Sequence, residues 1–269
     1  MFAKKTIIIT GASSGLGRVL ATEFAGHRAN LVLSARNIDG LQQTERLCRQ
    51  RGAQAICIPA DVTVVADCQN LIEKTVEHFG GIDFFIANAG LSMWAKFEEI
   101  RDLRVFERLM ATNYFGVVNC THFALPFLQK SRGMLVAISS IQGTIGVPLH
   151  TGYAAAKHAV NGFVNSLRTE LDDSVDILLV MPSWLKGSDL RKNALAANGK
   201  TMGNLQKKHS SASVSLTDCA GEILAAMRKR KRELIVPSKL RIVPVANQLV
   251  PRLVEKIIKK KVIRQHNGA

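Results

Sequence analysis

Tyr153 and Lys157, four residues apart, are the pair in this chain best suited to moving a proton. At i and i+4 a helix places them on one face. An ammonium held beside a phenol stabilises the phenolate and lowers its pKa, which suits acid–base work near neutrality. The same spacing fits an ordinary amphipathic pair, so the surroundings decide. Ser139-Ser140 closes an apolar run 13 residues before Tyr153, with Gly143 just beyond, and Asn88-Ala89-Gly90 ends another run. Asn113 sits inside a helical stretch. A second cluster suits phosphate: Thr10-Gly11-Ala12-Ser13-Ser14-Gly15-Leu16-Gly17 joins the first apolar run to the first helical stretch. Glycines there permit a tight turn and close backbone approach, and a helix N-terminus offers free amides and a positive dipole end. The spacing is G-x-x-x-G-x-G, and a purely structural turn remains open at this point. After the second run, Arg36 stands where a carboxylate would favour an unphosphorylated ribose. A guanidinium there suits a 2′-phosphate, unless Arg36 is simply a surface arginine. Asp39 reads as a helix-start acid.

The elements that must position these residues follow from hydrophobic periodicity. Thr6–Ile9, Leu31–Leu33, Ala55–Ile58, Phe84–Ala87, Leu135–Ile138, Ile177–Val180 and Leu234–Val236 read as strands, nearly all apolar and so covered on both faces. Helical stretches alternate with them: 16–25, 40–51, 66–79, 103–129, 153–171 and 217–230. Such alternation predicts an α/β fold with one doubly wound parallel sheet of seven strands. Residues 1–238 form the expected dinucleotide-binding and catalytic domain. Within it, 183–215 lacks apolar periodicity and is long enough to be a functional lid. Residues 239–269 follow the last strand and belong to no strand–helix–strand unit.

With 269 residues, 47% of them hydrophobic, the chain can bury a sizeable core, and wholesale disorder is excluded. No apolar run reaches the length of a membrane span, and none near the start resembles a secretory leader. Five scattered cysteines form no Cys-x-x-Cys pair, and no metal site is expected; reduced, packed thiols in a cytoplasmic protein are the expectation. The net charge of +15 is uneven: residues 228–269 hold 13 Lys and Arg against two acids. Val250, Leu253, Val254, Ile257, Ile258 and Lys261 recur at steps of three and four among those basic residues. This predicts a basic amphipathic helix over 250–264, peripheral on an anionic membrane surface, with packing on the body as the competing use. Nucleic acid is not expected, because the excess is confined to the tail and no aromatics interleave with it. The Arg228–Arg232 run resembles a targeting patch but also falls at a helix C-terminus, where cations complement the dipole. Met93 and Trp94 suit either an apolar substrate mouth or loop packing, and His150 and His158 read as structural or pocket residues.

Taken in order, these residues resemble the Tyr-x-x-x-Lys branch of the short-chain dehydrogenase/reductase family, over roughly residues 5–238. The resemblance implies a Rossmann-type sheet of order 3-2-1-4-5-6-7. It implies a catalytic set of Asn113, Ser140, Tyr153 and Lys157, in which Ser140 binds the substrate oxygen and Asn113 positions a water for reprotonation. It implies cofactor contacts from Gly11, Ser13, Ser14, Gly15, Leu16, Gly17, Arg36, Asp61, Val62, Asn88, Ala89, Gly90, Tyr153, Lys157, Pro182 and Leu185. Thr112 to Gly116 and Ala137 to Gly143 are similar in wording to the branch with 11β-hydroxysteroid dehydrogenase type 1 and the dehydrogenase/reductase 7B proteins. The expected activity is NADP(H)-dependent carbonyl reduction or alcohol oxidation on a small lipophilic substrate, in a homodimer or homotetramer. The alternative is an NADP(H)-binding sensor with little turnover. After the sixth strand the chain departs from the family: Ser183 replaces the Gly of Pro-Gly, and Gly187 stands in the Thr position, with Ser188 one residue on.

Overall fold

The computed structural model describes residues 1–171, 173–203 and 213–267. Among the described residues there are nine strands: β1 (Thr6–Thr10), β2 (Asn30–Ser34), β3 (Gln54–Cys57), β4 (Phe84–Ala87), β5 (Met134–Ile138), β6 (Asp176–Pro182), β7 (Leu185–Lys186), β8 (Val214–Ser215) and β9 (Glu233–Val236). Seven of them make one sheet in the order β3-β2-β1-β4-β5-β6-β9, and β7 and β8 form a separate small pair. Every pairing is parallel. The expected doubly wound topology is therefore the one observed, and the chain crosses over between β1 and β4, where functional groups of such sheets gather.

The helices are α1 (Gly15–Ala25), α2 (Ile38–Gln50), α3 (Val65–Phe79), α4 (Arg104–Met110), α5 (Gly116–Ser131), α6 (Thr151–Glu170), α7 (Leu216–Arg228), α8 (Ile242–Leu249) and α9 (Pro251–Asn267). Successive strand side chains point to opposite faces, so a continuous apolar strand feeds two cores. Ile7 and Ile9 of β1 join the core with α1, α2 and α7, including Leu20, Phe24, Leu41 and Ile223. Ile8, between them, joins the other core with α3, α5 and α6, including Leu71, Val117 and Val160. The helix expected over 103–129 is two helices joined by a π-helical turn at Ala111–Phe115. The cap of α2 is Asn37, whose side chain accepts from the Gly40 N–H, while Asp39 lies inside the first turn.

The expected lid at 183–215 is only partly described: 204–212 lie outside the described residues, and its ends pair as β7 and β8. The basic run at 228–232 is tied into the fold. Arg228 pairs with His27 and lies over Phe2, and Arg230 bonds both Asp176 and the Arg132 carbonyl. The tail is helical as expected, with Pro251 opening α9, where its absent N–H costs nothing. Its stripe divides, however. Val254 and Val262 are buried, and Ile258 packs with Val262 against Trp94, Leu149 and Ala194. Val250, Leu253 and Ile257 remain exposed. The body thus takes the i, i+4, i+8 row, and only part of the expected membrane-facing stripe stays outside.

Candidate active site

The phosphate loop is held from both sides. Thr10 ends β1, and its hydroxyl accepts the N–H groups of Asn88 and Ala89 at 3.0 and 3.1 Å. The Asn88 amide donates to the Thr10 carbonyl at 2.8 Å. Arg18, one turn into α1, donates to the Ser13 carbonyl and to the Thr44 hydroxyl, and Thr44 donates to the Ala12 carbonyl. Sequence reading missed Arg18 and Thr44, because nothing in the spacing says that α2 returns to brace the loop. Two glycines are required by contact. A Cβ on Gly17 would collide with the Gly11 carbonyl, whose carbon lies 2.8 Å away, and a Cβ on Gly11, at φ +67°, would press on Ala89 and Asn88. Ser14 precedes α1 in an extended conformation and makes no side-chain cap, and no acid lies in the first turn. By contrast α2 and α7 are capped by Asn37 and Ser215. The N-terminal amides of α1 therefore face the cavity without a side-chain acceptor, which suits an anionic diphosphate.

Farther along the sheet edge, Arg36 pairs with Asp61 at 3.4 Å. Burial pushes the Asp61 carboxyl up, but hydrogen bonds from Thr63 and the Arg36 guanidinium outweigh it, so it lies below its ordinary value. Val62 and the Asn88–Gly90 turn complete this end of the cavity.

The catalytic candidates converge at the other end. Lys157 and Tyr153 share one face of α6, and both are buried. The Lys157 ammonium donates to the Ile138 carbonyl at 2.8 Å and lies 5.8 Å from the centre of the Tyr153 ring. Ser140, just past β5, hydrogen-bonds Tyr153 and donates to the Pro182 carbonyl at 3.3 Å. Asn113 lies in the π-helical turn, a distortion frequent at functional sites. Its amide clasps the Leu91 backbone: Oδ1 accepts from the Leu91 N–H at 2.9 Å, and Nδ2 donates to the Leu91 carbonyl at 2.8 Å. Asn113 thereby fixes the chain after Gly90, above which both its Oδ1 and the Lys157 ammonium lie.

The electrostatics differ from the simplest expectation. Burial pushes the Tyr153 phenol up to about 12, with the Ser140 hydrogen bond only partly opposing it. Burial pulls Lys157 down to about 8. The cause is geometric: the ammonium is directed to Ile138, not to the phenol oxygen, so the lowering expected from the i, i+4 pair is absent. The phenol is held protonated, as a proton donor must be.

A cavity of about 940 Å³ joins both ends and is lined by Gly11, Ser13 to Leu16, Arg36, Asp61, Ser140, Tyr153, Lys157, Pro182 and Leu185. Trp94 and His150 line it beside Tyr153, whereas Met93 is packing, its sulfur accepting the Gly152 N–H at 3.1 Å. His158 donates its Nδ1–H along its own helix, to the Ala154 carbonyl at 2.8 Å. Ser188 and the Asp189 amide lie over Gly15 from the loop after β7, and Gly187 adopts φ +83°. The wall above Tyr153 includes Trp184, Val254, Ile258 and Val262. Sequence reading missed this wall, although the 254/258/262 spacing carried it.

His150 gives the site a pH-dependent stability. Its Nδ1 lies 2.8 Å from the Pro148 carbonyl, which can only accept, so Nδ1 carries the proton. Its ring meets Trp94 and Trp184 edge-on. Burial first, and then the Arg191 charge, pull its pKa from 6.5 to about 4. The unfolded ring takes up a proton below about pH 6.5 and the folded ring does not. The stability gained above that pH is thus lost as pH falls from 6.5 to 4, amounting to roughly 3 kcal/mol. Denaturant midpoints at pH 7 and pH 4 are expected to fall further in the parent chain than in His150→Phe. Equal pH dependence in the two would exclude this role.

Comparisons with known proteins bear on the family and the fold. The profile of the short chain dehydrogenase family matches residues 5–199. A Dictyostelium discoideum protein named dehydrogenase/reductase SDR family protein 7-like is 33% identical over 94% of this chain and 80% of its own length. The Arachis hypogaea 11-beta-hydroxysteroid dehydrogenase A is 35% identical over 94% and 74%. Among solved structures, a Burkholderia phymatum short chain dehydrogenase/reductase in complex with NAD superposes with a TM-score of 0.83 at 22% identity, covering 94% of this chain and 95% of that one. An alcohol dehydrogenase from Thermococcus sibiricus complexed with 5-hydroxy-NADP gives 0.75 at 23%, covering 86% and 95%. At these identities the two structures speak for the fold alone.

Proposed function

The chain belongs to the short-chain dehydrogenase/reductase family, whose members are oxidoreductases using a nicotinamide dinucleotide, and from that premise we propose that it interconverts a carbonyl and an alcohol on a small lipophilic substrate with NADP(H). The observation that carries this reading is the convergence of Ser140, Tyr153 and Lys157 in one apolar-walled cavity with the glycine cradle. The cradle fits a dinucleotide: the contacts that forbid a Cβ at Gly11 and Gly17, and the amides of α1, suit a diphosphate at the start of α1. Gly11 to Gly17 would hold the phosphates, Arg36 the 2′-phosphate, Asp61-Val62 the adenine side and Asn88–Gly90 the floor. When bound, the nicotinamide supplies or accepts hydride.

In the reductive direction the Tyr153 hydroxyl donates its proton to the developing alkoxide, and its raised pKa keeps that proton in place until then. Ser140 would turn its hydroxyl from the Pro182 carbonyl to the same oxygen and stabilise charge that grows in the transition state. Lys157, partly deprotonated near pH 8, can return a proton to the phenolate. Asn113 acts through the Leu91 backbone to fix the wall facing Lys157. Exposed Leu103 and Phe115, flanking α4, support pairing of copies through the α4–α5 and α6 faces.

The choice of NADP(H) rests on Arg36. Its side chain is 76% exposed and its ion pair is long, so that pair contributes little and leaves the guanidinium able to meet a phosphate. A charge-assisted contact is worth roughly 1.5–3 kcal/mol, or about tenfold to a hundredfold in affinity. Fluorescence titration is expected to show NADPH bound more tightly than NADH by that factor, with the preference lost in Arg36→Asp. Equal affinities in the parent chain would overturn the assignment.

A further inference from the structure

A buried amide left without a hydrogen bond is costly, so one that stays unpaired in an otherwise satisfied wall calls for a use. The other buried amides at this end of the sheet are engaged. Asn113 clasps Leu91, and Asn161 accepts from the Ser139 hydroxyl at 2.6 Å and donates to the Gly143 carbonyl at 2.9 Å. Gln142 differs. It is 6% exposed and lines the cavity, yet its Oε1 is buried with no partner, and its Nε2 makes no hydrogen bond among the described residues. Of the described residues with such an orphaned side-chain atom, Gln142 alone lines the cavity. Its backbone is also pinned, in the short turn Ile141–Gly143. The Gln142 N–H donates to the Ser140 hydroxyl at 3.2 Å, and the Gly143 N–H donates to the Ser140 carbonyl at 2.8 Å. Behind the turn, a Cβ on Gly143 would lie 2.7 Å from the Asn161 amide nitrogen and 2.9 Å from the Lys157 carbonyl. The turn therefore cannot retreat, and it holds the Gln142 amide beside the hydroxyl that would meet the substrate oxygen.

We propose that Gln142 selects substrates carrying a hydroxyl on the carbon next to the reacting carbonyl or on the one beyond it. The substrate class is then the hydroxyketone and, in the oxidative direction, the matching diol. A hydroxyl both donates and accepts, so it satisfies the amide whichever way the amide is turned. A second carbonyl offers acceptors only and leaves Oε1 orphaned, and an ammonium offers donors only. The rest of this end of the cavity, with Trp94, Ile145, Val147 and Trp184, takes the apolar body of the molecule. A plain ketone filling the same space shuts the amide away from water with nothing to bond. It is rejected on that account, as sites built around a substrate hydroxyl reject analogues that lack it. The placing of the hydroxyl relative to a reacting carbonyl rests on the carbonyl–alcohol reading above; the amide's match to a hydroxyl does not.

The test measures binding apart from chemistry. Tert-butyl phenyl ketone and its analogue with a hydroxyl in place of one methyl are matched in size. The hydroxyl-bearing carbon has no hydrogen to give up, so neither compound reacts when the cofactor present is NADP+. Neopentyl phenyl ketone and its hydroxyl analogue set the same group one carbon farther out. Calorimetric titration of the full chain saturated with NADP+ is expected to favour the hydroxyl member of at least one pair by about tenfold to a hundredfold. In Gln142→Leu, a side chain of similar size, the order is expected to reverse, because a methyl then meets an apolar surface. Its Tm is expected to hold or rise, since an orphaned amide has left the wall. Equal affinities within both pairs, absence of binding included, overturn the proposal. So does a preference that survives in Gln142→Leu, or a clear fall in its Tm, which would make the amide structural. A tenfold loss of NADP+ affinity in the variant also overturns it, by giving the amide to the nicotinamide. The hydroxyl preference with no NADPH consumption on any of the four ketones would leave the hydroxyl site standing and remove the carbonyl–alcohol reading. Turnover of all four at equal kcat/KM would do the reverse.

Discussion

Tyr153→Phe is expected to lower kcat by about a thousandfold while leaving the fold and NADPH affinity nearly unchanged. The substitution removes one oxygen and nothing else from a buried ring. A positioned general acid contributes roughly a hundredfold to ten-thousandfold, so three decades, or about 4 kcal/mol of barrier, is the central expectation. The structural cost is small. The phenol's partner is Ser140, whose hydroxyl retains its bond to the Pro182 carbonyl, so about 1 kcal/mol of stability is at stake. Binding is measured by NADPH fluorescence and chemistry by single-turnover rates. A variant that keeps parental kcat on any carbonyl would show that the proton comes from another group.

Gly17→Ala is expected to cost both stability and cofactor affinity. The new methyl would meet the Gly11 carbonyl and lie 2.7 Å from the Asn88 amide nitrogen, so the strand-to-helix turn itself must move. Overpacking against backbone costs roughly 1–3 kcal/mol, which for a chain of this length lowers Tm by about 2–10 °C. The same displacement moves the amides that would meet the diphosphate, so dinucleotide affinity falls as well. Gly162→Ala is the matched control. It is exposed on α6 with open space around its Cβ, and there alanine gains up to about 1 kcal/mol of helix propensity. A Gly17→Ala chain with parental Tm and NADPH affinity would contradict the contact argument.

The fold was legible because its signals are local. Runs such as Thr6–Ile9 and Phe84–Ala87 are apolar without alternation, and only a strand covered on both faces needs that. The candidate chemistry was legible for the same reason: Tyr153 and Lys157 are neighbours on α6, and the glycine loop is one continuous stretch. What escaped depends on contacts distant in sequence. Nothing near Arg18 announces Thr44, and nothing near Val262 announces Trp94 and Leu149. The amphipathic pattern of the tail was correctly seen, but a period gives a face without saying what covers it. The body took Val254, Ile258 and Val262, and left Leu253 and Ile257 outside. The phenol pKa failed in a related way. Spacing put Lys157 near Tyr153, yet the Ile138 carbonyl, 19 residues before it, decides where the ammonium points.

The bare start of α1 has a consequence for folding as well as for catalysis. Where α2 and α7 carry their own acceptors, α1 begins at Ser14 with none from a side chain, so its amides are left to water or to a bound anion. A dinucleotide that meets them binds the native chain and not the unfolded one. By mass action its free concentration then enters the unfolding equilibrium, and each tenfold rise above Kd adds about 1.4 kcal/mol to the native state. The population of open, protease-sensitive chains is thereby coupled to the supply of the dinucleotide, and the protein persists longest where it has something to work with.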